Sequence, residues 1–180
     1  MIDPTHQIFW FASRAFGIVA MLMLGVSVAV GLAMSGRLMR RPGIAGKLRH
    51  FHESATLVTL GLIVAHGGLL LFDSYLRPGL VGITVPFTLA YRPLYTGLGI
   101  VAGWLAAILG LSFYARRRIG ARTWRRMHRF TIVAYVLALL HVIGSGTDVR
   151  SPLMVAMLTA LTAPIAFAFS YRMLPAAQVA

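Results

Sequence analysis

Four of the six histidines in this 180-residue chain form two spaced pairs: His52 and His66 are 14 residues apart, and His128 and His141 are 13 apart. An imidazole can serve as a base, a proton relay or a metal ligand. All four lie in two strongly apolar stretches, and an ionisable group inside a membrane span is costly enough to mark a functional site by default. At a rise of ~1.5 Å per residue, each pair is separated by roughly 20 Å along its helix. If the two stretches run in the same direction through a membrane, His52 is level with His128, and His66 with His141.

Two facing imidazoles per level are what a bis-histidine haem needs, one on each side of the macrocycle. An iron held in this way has no open position, which favours electron transfer over oxygen binding. Zinc is the weaker rival, because each level offers two histidines and no nearby Cys or Asp. Only Glu53 comes close, beside His52 at the interface. A lone membrane histidine is often just a helix–helix hydrogen bond, but two matched pairs argue against coincidence. The spacing also poses a problem. Fourteen residues at ~100° return within ~40° of the same helix face, whereas thirteen miss by ~140°. Either the two ligand sites lie to different sides of the helix carrying His128 and His141, or a local winding defect re-aims one of them.

The elements that must position these residues are membrane helices. Hydrophobic residues make up 58% of the chain and charged ones 12%, against ~25% charged in an ordinary soluble domain. Mean hydropathy is +0.79. Five stretches, near 10–34, 52–72, 94–115, 128–147 and 152–172, are long enough for a ~30 Å hydrocarbon core. The first lacks a basic leader and a cleavage site, and reads as a true span. The expected fold is an all-α integral membrane helix bundle, a single domain over 1–180, with about five transmembrane helices.

The net charge of +13 is concentrated in two gaps. One carries Arg37, Arg40, Arg41, Lys47 and Arg49; the other carries Arg116, Arg117, Arg118, Arg122, Arg125 and Arg126. Basic loops stay in the cytoplasm, which predicts the N-terminus outside and the C-terminus inside. The charge is a topology signal rather than a nucleic-acid footprint. Localisation follows as a multi-pass cell membrane protein, in the bacterial inner membrane. With no cysteine, the chain makes no disulfide, thiolate ligand or iron–sulfur cluster. No internal repeat is evident.

Several other residues have a functional and a plainer reading. Arg14, a charge one turn inside the first span, can snorkel to headgroups or pair with a propionate of the outer haem. Arg125, Arg126 and Arg129 can do the same inside. His50 reads as a solvated interfacial group and His6 as a surface one. Trp10, Tyr75, Tyr91, Tyr95, Tyr114 and Trp124 read as aromatic belts. The long outer connection from Asp73 to Pro93 contains Pro78, Gly79, Gly82 and Pro86, which oppose a regular helix. Its LVGITVPF stretch reads equally well as a cover on the bundle mouth or a loop in the interface.

With the pair His52–x13–His66 and His128–x12–His141 in view, the chain resembles the ferric reductase-like transmembrane family. That family includes the membrane parts of ferric reductases and NADPH oxidases, and the haem subunit of bacterial methionine sulfoxide reductase systems. The resemblance also rests on FASRAFGIVA at 11–20, VPFTLAYRPLYTGLGIVAGWL at 85–105, TWRRMH at 123–128 and HVIGSGTD at 141–148. It implies that His52 with His128, and His66 with His141, are the axial ligands of two non-covalent b haems. Two departures stand out: five spans where members commonly show six, and no flavin or nicotinamide site after the last span.

The expected role is therefore the electron-transfer subunit of an oxidoreductase. Electrons would pass from a cytoplasmic or quinol donor to an external acceptor, with a separate redox partner (a flavoprotein, quinone or external reductase subunit). Alternatives are a quinol-linked respiratory cytochrome b subunit, and a non-redox transporter or scaffold whose histidines bind protons or metal.

Overall fold

The computed structural model describes residues 5–35 and 44–173. Asp3, Arg37, Arg40, Arg41, the side chain of His6 and the PAAQVA tail lie outside the described residues. Seven helices are present among them: α1 (Thr5–Ser35), α2 (Ile44–Leu70), α3 (Gly79–Thr84), α4 (Pro93–Ile119), α5 (Ala121–His128), α6 (Thr131–Ser145) and α7 (Pro152–Met173). Five helical segments are long and apolar enough to cross a membrane: Gln7–Ser35, Ile44–Leu70, Pro93–Ile119, Ala121–Ser145 and Pro152–Met173. The protein is an all-α, multi-pass membrane bundle.

The second and fourth spans begin a turn or more before their expected starts, and the third ends a turn beyond its expected end, each into sequence rich in Arg and Lys. Long basic side chains can extend a helix past the hydrocarbon and still reach water. Hydroxyls inside the spans bond back to their own helix, as with Thr56 on the His52 carbonyl (2.8 Å) and Thr59 on that of Ala55 (2.7 Å). That arrangement keeps polar groups satisfied where no water is at hand.

Two antiparallel pairs organise the bundle. Helix α2 lies along α1, and α6 along α4, with α7 closing against α1. The core of α1, α6 and α7 contains Met21, Val28, Tyr135, Met154, Leu158 and Ile165. The hydroxyl of Tyr135, buried among them, meets Thr162 Oγ1 at 2.9 Å. The histidine-bearing α2 and α6 thus belong to different pairs.

The fourth span is not one helix. It breaks after His128: Arg129 and Phe130 keep right-handed backbone angles, but Phe130 has ψ −2°, and α6 begins afresh at Thr131. The Thr131 hydroxyl bonds the His128 carbonyl across the break (2.8 Å). Gly120, at φ +85°, makes the single-residue turn between α4 and α5 that a side chain would oppose.

The connection between α2 and α4 is more ordered than its prolines and glycines suggest. Pro78 precedes the short α3, a position where its fixed φ and missing N–H cost nothing. Asp73 is buried and accepts backbone N–H bonds from Tyr75 (3.0 Å) and Leu76 (2.6 Å). Trp104 of α4 donates its indole N–H to the Thr84 carbonyl (2.8 Å), which ties the segment down. Both readings of LVGITVPF are partly met: Leu80, Val81 and Val85 are exposed, while Gly82 and Ile83 line a cavity below.

Candidate functional site

The bundle brings the four histidines together as two opposed pairs. Ring centres of His52 and His128 lie 6.0 Å apart, with planes at 90°. Those of His66 and His141 lie 6.2 Å apart, at 71°. The break at 129–130 falls between the two histidines of the 13-residue pair, and both His128 and His141 meet a histidine of α2. A ring nitrogen sits about 1.15 Å from its ring centre, so opposed nitrogens are at least about 3.7 Å apart, beyond the ~3.2 Å reach of a hydrogen bond. Trans imidazoles on a metal, each nitrogen about 2.0–2.1 Å away, would centre roughly 6.3 Å apart. The pairs are spaced for an atom between them, not for contact with each other.

Three of the four rings are anchored in one way. His66 Nδ1 donates to the Ser13 carbonyl (2.8 Å), His52 Nδ1 to that of Ser27 (3.0 Å) and His141 Nδ1 to that of Tyr95 (2.9 Å). A carbonyl only accepts, so Nδ1 carries the proton and Nε2 keeps its lone pair. Among the described residues, no hydrogen bond reaches Nε2 of any of the four. An outer-shell carbonyl on the other ring nitrogen is how protein metal sites orient a histidine and raise its basicity.

Each of these carbonyls is exposed by a glycine four residues later. A helical side chain leans back over the preceding turn, so a residue at i+4 shields the carbonyl of i. A Cβ on Gly17 would lie 2.9 Å from His66 Nδ1, and one on Gly31 3.2 Å from His52 Cε1. A Cβ on Gly99 would lie 2.5 Å from His141 Nδ1. On α1 the anchoring residue is a serine both times, and its hydroxyl also meets the imidazole at 3.1 Å.

These anchors were missed in the sequence, yet a signal was there. SRAFG at 13–17 and SVAVG at 27–31 are an S-x3-G repeat with a period of 14, the same as His52 to His66. Helix α1 therefore contains a short internal repeat where none was evident, because the three residues between serine and glycine, RAF in one copy and VAV in the other, are unlike each other.

Each pair stands in its own cavity, of about 750 Å³ around His52 and His128 and about 710 Å³ around His66 and His141. Both are mostly apolar and within the ~300–1,000 Å³ of cofactor sites. Leu24 and Leu60 line both and form the partition between them. The first cavity opens among Arg49, Arg116, Arg125, Arg129 and Arg172, with Glu53 bonded to the Tyr114 hydroxyl (2.8 Å).

The second holds Arg14, which is ion-paired with Asp148 and lies 4.3 Å over the Trp10 ring. Arg14 thus faces inward and does not simply snorkel. His50 is exposed, as expected. Trp124 departs from its belt reading: it stacks on His128 (5.1 Å, 26°) and lines the first cavity.

Among the described residues, no three His, Asp or Glu side chains converge on one point. The donor set at each level is two neutral imidazoles on opposite sides of an apolar slot. It suits a metal whose remaining positions are filled by a flat, largely apolar macrocycle with acidic edges. No family model, curated protein or solved structure matches the chain.

Proposed function

We propose that the chain is a diheme b-type cytochrome subunit that carries electrons across the membrane from a cytoplasmic or quinol donor to an external acceptor. The observation that carries the proposal is the pair His66 and His141. Each gives its Nδ1 proton to a backbone carbonyl, so two unprotonated Nε2 atoms are left to one cavity. Two lone pairs left without a donor in an apolar interior are unfavourable unless an electrophile meets them.

In this reading His66 and His141 hold the outer haem, and His52 and His128 the inner one. Gly17, Gly31 and Gly99 let the rings approach their carbonyls. The five arginines of the inner cavity, and Arg14 in the outer one, offer partners to haem carboxylates. Bound haem would supply a reversible one-electron couple with no free coordination position. The chain's own work is to fix the imidazoles, exclude water and set the distance between the sites through Leu24 and Leu60. The basic loops put the inner site towards the cytoplasm of a bacterial inner membrane. A separate redox partner supplies the electrons, in keeping with the resemblance to ferric reductase-like proteins.

Pyridine haemochrome analysis of the purified protein tests the proposal. The expected result is two haem b per chain, reducible together in a reduced-minus-oxidised spectrum. His66→Ala should leave one. Intact protein without a b-type signal would sink it.

A further inference from the structure

The fourth histidine follows the rule of the other three only loosely. Fourteen residues beyond Tyr95 and Gly99, which receive His141, helix α4 presents Leu109 and Phe113 at the matching positions for His128. Phe113 stands where the pattern has glycine. The Leu109 carbonyl already accepts the Ser112 hydroxyl (2.7 Å). It lies near enough to His128 to interact, but the His128 Nδ1 is buried without a hydrogen-bond partner. His128 is also the last residue of α5, directly before the break.

What holds its ring instead is aromatic. Trp124, one turn earlier on α5, stacks on it with centres 5.1 Å apart and planes at 26°. Phe113 packs against Trp124 in turn (5.8 Å, 62°), and the Arg116 guanidinium lies 3.7 Å over Phe113. Helical side chains four apart are neighbours, so the contact is built into the spacing.

We infer that Trp124 is the positioning residue of His128, fixing by stacking an imidazole that the other three sites fix by a carbonyl and a glycine. This rests on the diheme reading above. A ring whose Nδ1 is held by no well-formed hydrogen bond is a less basic ligand, which makes His128 the most easily displaced of the four. The inner site also has its two ring planes at 90°. Were haem held there, imidazole planes at this angle would give its low-spin ferric form a strongly anisotropic EPR signal. Holding that angle depends on Trp124.

The test uses the full chain purified in detergent, with the inner EPR signal assigned in a His66→Ala background. In Trp124→Leu, the largest g value of the inner haem should shift down while the outer signal stays put. Trp124→Phe, which can still stack, should restore it. An inner signal unmoved in Trp124→Leu overturns the inference, as does a Phe variant as disturbed as the Leu one.

An arm that needs no Trp124 variant guards against misfolding. In a cyanide titration of the ferric protein, the inner signal should give way at a concentration roughly tenfold below the outer one. Equal response, or the outer site yielding first, overturns it. Purified protein without haem overturns this inference and the proposed function together, whereas two intact signals with the wrong responses overturn this inference alone.

Discussion

At the scale of single residues, the decisive groups are small. The three glycines beside the imidazoles matter for what they lack. A Cβ on Gly99 would lie 2.5 Å from His141 Nδ1 and 2.6 Å from its Cγ, so Gly99→Ala should displace the ring and remove the outer haem, leaving one of two by haemochrome. Gly103, one turn on, is the comparison. Its Cβ would meet only Ile63 at 3.4 Å, and Gly103→Ala should keep both haems. Equal haem content in the two variants would mean that the glycine notch plays no part. The histidines were legible because an imidazole in a span is rare and expensive. Their anchors were not, since a backbone carbonyl is present at every position and only the neighbouring helix decides which one is used.

Among the elements, the break after His128 does the most. A continuous helix would leave His128 and His141 about 140° apart around the axis, and the tightened step at Arg129 and Phe130 interrupts that register. Inserting one alanine between Phe130 and Thr131 should turn His141 by about 100° and shift it by about 1.5 Å relative to His128. The expected outcome is loss of one haem from the spectrum with the helical content unchanged by circular dichroism. Retention of both would show that something other than the break sets the register. The mismatch could be read from the count of thirteen alone, but the remedy could not. No proline or glycine marks positions 129–130, and the only hint is the Thr131 hydroxyl that bonds back across the step. The ordered segment between α2 and α4 was hidden for a similar reason, because its hold comes from Trp104 on another helix and from the buried Asp73.

For the whole molecule, the arrangement of two helix pairs places the histidines of α2 opposite those of α5 and α6 across a pair of stacked cavities. The orientation proposed from the arginine-rich connections can be checked simply, because the chain has no cysteine. Tyr75→Cys, at the end lacking those arginines, should react with a membrane-impermeant maleimide in intact cells. Arg118→Cys should react only after permeabilisation. Both positions are exposed in the fold, so the reversed pattern would overturn the assignment.

The sequence by itself determined the class of the protein, the number of its spans and the depth of each histidine, because hydropathy and helical rise act locally along the chain. Only the tertiary structure decided how the histidines are aimed and held. It placed a helix break between the two histidines that are thirteen residues apart. It turned Arg14 towards Asp148 and moved Trp124 from a belt to the face of His128. The aim of a ring depends on the carbonyl, glycine or indole that a neighbouring helix brings to it, and that is settled by packing between segments remote in sequence.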